Sequence, residues 1–118
     1  MGDPRRGEIW RVDLDPTRGS ELKKARLVRV ISSDAVGVLP VKLGVPITEW
    51  QPSFLNHLWH LRLEPDNRNG LTKTSALDVW QLRALAVERF ILRKGILAAG
   101  ILREVTAAVA AVIEHESD

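Results

Sequence analysis

Residues 8–19 read Glu8-Ile-Trp-Arg-Val-Asp-Leu14 and then Asp15-Pro-Thr-Arg-Gly19. In the first part Trp10, Val12 and Leu14 fall on one face with other residues opposite, the period-two pattern of a strand with one apolar side. In the second part proline fixes one backbone dihedral and glycine tolerates the others, so the chain turns. Strand followed by turn then repeats downstream. Arg26 to Ser32 is a second strand, rich in β-branched residues. A turn around Ser33 to Gly37 leads into a third run, Val38 to Ile47. That run holds Pro40, Gly44 and Pro46, which predicts an edge strand, a bulged strand or one broken in two, because proline cannot donate to a ladder. Leu58 to Leu63 alternates again, with Trp59, Leu61 and Leu63 on one face. Glu64-Pro-Asp-Asn-Arg-Asn-Gly70 is another strong turn, and 74–82 and 89–97 each read as a strand with a short helical turn between them.

The last segment has a different period. From Ala98 to Glu114, Ile101, Leu102, Val105, Ala108, Val109, Val112 and Ile113 recur at helical spacing, in an alanine-rich context that suits a helix. The implied fold is α+β: a small, strongly curved antiparallel sheet or partly open barrel with a C-terminal amphipathic helix. A length of 118 residues is that of one domain, taken as 1–118.

The apolar fraction of 45% and charged fraction of 27% are those of an ordinary globular protein. No apolar run is long enough to cross a bilayer, and the first residues lack the apolar core of a secretory signal, so a cytoplasmic protein is expected. There is no cysteine, which excludes disulfides, thiolate metal sites and a thiol nucleophile. The net charge of +2 argues for nothing by itself, but its distribution is uneven. Arg18, Lys23, Lys24, Arg26 and Arg29 stand within a dozen residues against the single acid Glu21, whereas from residue 45 onward eight basic residues face nine acidic ones. The cluster reads either as a phosphate footprint or as a solvated loop.

Several motifs carry chemistry on paper. His57 and His60 could serve as an acid and base pair for RNA cleavage. On a strand, however, a spacing of three puts their rings on opposite faces, and no further metal ligands lie nearby, so a half-buried or solvated role is expected for both. Gly70-Leu-Thr-Lys-Thr-Ser75 is not a phosphate-binding loop, because its lysine is displaced and the upstream glycine is missing. Trp10 and Trp59 lie on apolar strand faces and read as core, while Trp50 and Trp80 are unassigned. Glu21, Arg26 and Thr48 could together run metal-free RNA cleavage. An arginine fork matches a phosphate, a carboxylate can take the 2′ proton, and a hydroxyl can hold a phosphate oxygen. Taken as residues alone, the same three are structural more often than catalytic.

Eight pieces in order resemble the MazF/PemK toxin family: Arg6-Gly-Glu-Ile-Trp10, Val12-Asp-Leu-Asp-Pro16, Arg18-Gly-Ser-Glu21, Arg26, Val30-Ile-Ser-Ser-Asp34, Pro46-Ile-Thr48, Asn69-Gly-Leu71 and Gln81-Leu-Arg83. The resemblance covers about residues 6–97. It implies an SH3-like barrel with a C-terminal helix, acting as a homodimer. It implies a metal-independent endoribonuclease, with no cofactor, that cuts single-stranded RNA at a short motif by 2′-hydroxyl attack. It further implies a cognate antitoxin whose flexible acidic segment covers the RNA groove. Arg26 and Thr48 then hold the catalytic positions, Glu21 that of a less general third residue, and Arg18, Ser20, Lys23, Lys24 and Gln81 line the RNA path. The chain departs from the family at Leu27, where proline is usual, at Ala86, where aspartate is common, and at Arg29, where an apolar residue is usual. Arg29 is expected either to extend the basic surface or to lie outward with its stem on the sheet. The alternative is a non-enzymatic binder on the same fold, a gyrase poison or a degenerate RNA-binding relative. The acidic end, Glu114-His-Glu-Ser-Asp118, lacks the tryptophan expected of a gyrase poison.

Overall fold

The computed structural model describes residues 3–14, 25–36 and 39–115. Within them are seven strands and one α-helix: β1 (Glu8–Asp13), β2 (Ala25–Val30), β3 (Val41–Glu49), β4 (His60–Leu63), β5 (Ser75–Asp78), β6 (Arg83–Ala86), β7 (Phe90–Ile96) and α1 (Ala99–Val112). The sheet order is β4-β5-β3-β2-β1-β7, with β6 also paired to β3, and every pairing is antiparallel. Its two ends do not pair with each other, so the sheet does not close into a barrel. This is the α+β architecture expected. The run 74–97 contains one more strand than expected, because β6 forms between two single helical turns.

Strand alternation supplies two apolar layers. One face carries Trp10, Val12, Val28, Val30 and Leu85, with Leu14 just past β1, packed against Phe90. The other carries Ile9, Val45, Ile47, Leu63 and Leu77, and Val105 and Ala108 of α1 lie on it. Ile101, Val109 and Val112 pack beside them, as the helical spacing requires. Trp10 is buried, and Trp59 is half-buried against the helix-side layer. Both tryptophans are therefore core, as their strand faces predicted.

The third run corrects the sequence reading. Far from being an edge or broken strand, β3 is nine continuous residues at the centre of the sheet, between β2 on one side and β6 and β5 on the other. The reason lies in which way each nitrogen points. Ile31 N donates to Leu43 O, so bonds join the odd-numbered pairs of β2 and β3, and Pro46, opposite Val28, falls in a non-bonded pair. Its nitrogen therefore faces away from β2. On that side β6 has ended at Gly44 and β5 begins only at Ile47, so no donor is missed. Gly44 is needed because a Cβ there would strike the Val28 side chain.

The turn at 64–71 is built by two side chains. Asp66 accepts from the backbone N–H groups of Arg68 and Asn69, which holds its carboxyl below its ordinary range. Asn69 is buried, accepts from Leu71 N and donates to Glu64 O. Gly70 has φ of 72°, and a Cβ there would collide with the carbonyl of Lys94, so the turn can lie directly on β7. No helix follows it, consistent with its rejection as a phosphate loop.

Candidate RNA-cleavage site

The site lies where two strands part. Pairing between β2 and β3 stops at Leu27↔Ile47. Beyond that pair β2 stays with β1, where Arg26 faces Val12, and β3 stays with β5, where Thr48 faces Ala76. A pocket of about 350 Å³ opens at this fork, lined by Arg11, Arg26, Leu27, Ile47, Thr48, Glu49, Leu71, Thr72, Lys73 and Ser75. Arg26 and Thr48, 22 positions apart in the chain, thus meet across the fork. Arg26 is exposed and Thr48 half-buried, so a solvated cation and a partly shielded hydroxyl stand at the fork.

The charges around the pocket are mixed. Arg11, Arg26 and Lys73 are its cations and Glu49 its carboxylate, and Glu49 Oε2 lies 3.6 Å from Lys73 Nζ. Both partners of that pair are more than half exposed, so it is weak and easily exchanged. Arg11 and Glu49 were not singled out from sequence, and Lys73 and Ser75 were read there only as part of the rejected phosphate-loop stretch. Arg11 had a readable signal, since it alternates with Trp10 and Val12 and must face the other way. Glu49 and Ser75 are neighbours only through the β3–β5 register. Of the expected site residues, Glu21, Arg18, Ser20, Lys23 and Lys24 fall outside the described residues. Gln81 ends the helical turn Val79–Gln81 and is not among the residues lining this pocket. Leu27, in the usual place of proline, is half-buried and forms part of the wall.

Comparisons with known proteins bear on the family and the fold. Residues 5–113 match the family model described as the PemK-like, MazF-like toxin of type II toxin–antitoxin systems. The chain belongs to that family. It is 33% identical over 112 residues to endoribonuclease MazF9 of Mycobacterium tuberculosis, covering 89% of this chain and 92% of that one. A MazF from Deinococcus radiodurans superposes with a TM-score of 0.80 at 20% identity, covering 97% of this chain and 99% of that one. A mycobacterial endoribonuclease in complex with its cognate antitoxin gives 0.75 at 16% identity, covering 98% and 99%. These last two likenesses speak to the fold.

Two features set this member of the toxin family apart from the sequence reading. Arg29 neither extends the basic surface nor lies outward. It is fully buried, between Ile9 and Val45 in register, and among the described residues its guanidinium nitrogens have no hydrogen-bond partner. Burial, with Arg6 adding like charge, lowers its pKa to about 10. The two histidines are the second correction. His57 precedes β4 in a turn instead of sharing the strand, so strand alternation does not separate them. Their Nδ1 atoms are 2.9 Å apart. His60 Nε2 is 3.6 Å from Asp78 Oδ2 across the β4–β5 pairing. Burial lowers the pKa of His60, opposed by Asp78, and raises that of Asp78, opposed by His60. His60 also stacks on Phe54 with ring centroids 3.6 Å apart, and His57 on Trp59 at 4.3 Å. Among the described residues no group of three or more histidine, acidic or cysteine side chains could hold a metal, and no helix is long and apolar enough to cross a membrane.

Proposed function

We propose that this toxin is an endoribonuclease that cleaves single-stranded RNA through attack of a 2′-hydroxyl on the adjacent phosphate. The observation that carries the proposal is the meeting of Arg26 and Thr48 at one open pocket, in a chain whose relative of 33% identity is named an endoribonuclease. Arg26 holds the phosphate and stabilises the charge that gathers on its oxygens. Thr48 hydrogen-bonds a phosphate oxygen and fixes the geometry of attack. Glu21 takes the 2′ proton as the bond from the 2′ oxygen to phosphorus forms; the bond to the 5′ oxygen breaks, and that oxygen leaves with a proton from water. Arg18, Ser20, Lys23, Lys24 and Gln81 guide the strand. The chemistry asks for no metal and no cofactor.

The protein works in the cytoplasm as a homodimer, and an antitoxin with a flexible acidic segment restrains it. A related mycobacterial endoribonuclease has been solved with its cognate antitoxin, which supports that assignment. The test is to incubate the pure protein with a long single-stranded RNA in EDTA and map the ends. Discrete cuts leaving 2′,3′-cyclic phosphates are expected. RNA that stays whole, while a known active relative cleaves it, would refute the enzyme and favour a non-enzymatic binder.

A further inference from the structure

The row of residues leading away from Thr48 points to a second element of recognition. Thr48 faces Ala76 across β3–β5, and Ala76 faces Arg62 across β5–β4. Directly opposed residues of antiparallel strands point to the same side of a sheet. Thr48 and Arg62 therefore share a face, two strand spacings or about 10 Å apart. Between them stands only the methyl group of Ala76, which is fully buried. The outer surface here is therefore made by longer side chains around it.

Two of those side chains form a pair. The Arg62 guanidinium lies 5.3 Å from the centroid of the Trp50 ring, and Trp50, two residues beyond Thr48, keeps to the same face because its N–H bond to Thr74 O extends the β3–β5 register by one pair. The tryptophan is held from behind. Its ring meets Phe54 edge-on at 5.7 Å, Phe54 stacks on His60, and His60 is tied to Asp78 and His57. Its backbone N–H donates to Thr74 O. Arg62 itself is half exposed, and its acidic neighbour Glu64, at 3.7 Å, is more exposed still. Such a surface pair is weak and can give way to a phosphate.

We propose that Trp50 and Arg62 form a nucleotide subsite, in which Trp50 stacks a base and Arg62 binds a phosphate of the RNA strand whose scissile bond lies at Arg26 and Thr48. A stacking aromatic beside an arginine is the combination that binds single strands without reading an edge of the base. The subsite rests on the ribonuclease reading for the position of the cut, but not for its own affinity. It takes a neighbouring, non-reacting nucleotide, so its binding energy positions the strand.

The test compares wild type with R62Q, W50A and W50F, each checked for unchanged thermal unfolding, on RNAs lengthened stepwise to either side of the mapped cut. On the longest RNA, R62Q and W50A should lose about tenfold in kcat/KM, mainly through KM. The loss should shrink as the RNA is shortened past the subsite, and W50F should retain most of the activity. Equal losses at every length, or none at any, would overturn the subsite. Binding of 2′-O-methyl oligonucleotides of the same lengths separates the two readings. If wild type binds them with the same dependence on Arg62 and Trp50 but cuts no RNA, the enzyme reading fails and the subsite stands. If wild type cuts RNA and the variants bind like wild type, or if only an acidic peptide competes for Arg62, the subsite fails alone.

Discussion

Arg26 and Arg29 stand three residues apart on the same strand, and the fold treats them oppositely. Arg26 is exposed at a fork in the sheet. Arg29, on the other face of β2, is sealed under the helix-side layer, and its guanidinium has no hydrogen-bond partner among the described residues. A charge in water at the mouth of a pocket is free to meet a phosphate. A charge out of water carries a desolvation cost that only a partner can offset. The difference teaches that a basic cluster in the sequence is not one electrostatic object, because alternation deals its members to opposite sides of the sheet.

The comparison can be broken by experiment, and the largest effect is expected at Arg26. Replacing it by alanine should lower the cleavage rate roughly 100- to 1,000-fold, the usual loss when one charge-stabilising donor is removed, with thermal unfolding unchanged. A rate within a few-fold of wild type would remove Arg26 from the site.

R29M should act in the reverse sense. Methionine keeps apolar volume in the layer and removes the buried charge, so stability should rise by about 1–4 kcal/mol, seen as a higher Tm, while cleavage stays near wild type. A lower Tm would show that Arg29 grips an acid and does not merely endure its burial.

The double variant R26A/R29M sharpens the contrast. The two side chains point to opposite faces with Cα atoms about 10 Å apart, so their effects on unfolding should add to within about 0.5 kcal/mol. A larger deviation would mean that the fork and the core are coupled.

The smallest expected effect concerns the histidine pair. Burial favours neutral His60, so its contribution to stability is full above its ordinary pKa of about 6.5 and fades as pH falls through its lowered value. Asp78 works against this, because its raised pKa favours the fold only in acid. Thermal unfolding followed from pH 7 to pH 5 should show a modest fall in Tm for wild type. In H60N that part of the fall should vanish, and an identical slope in the two would discard the assignment.

Much of the fold was legible along the chain because it depends on local periods. Trp10, Val12 and Leu14 at period two, and Ile101, Val105, Ala108 and Val112 at helical spacing, each name a buried face without knowledge of its partner. What misled was anything set by a neighbour. Pro46 looked like a breaker, yet it sits where β6 has stopped and β5 has not begun. His57 looked as if strand alternation must part it from His60, yet the turn ahead of β4 brings their rings into contact. Of the site, Arg26 and Thr48 were readable through the family resemblance, whereas Arg11, Glu49 and Lys73 were not.

The sequence by itself thus determined which residues of a strand or helix share a face, since side-chain period follows from backbone geometry alone. It also carried the family, since the order of short motifs survives in one dimension. Only the tertiary structure decided that β2 and β3 part after Leu27 and Ile47, that Arg29 is enclosed while Arg26 is not, and that Arg62 lies in line with Thr48. Those are matters of register, and register is a relation between strands that no single strand contains.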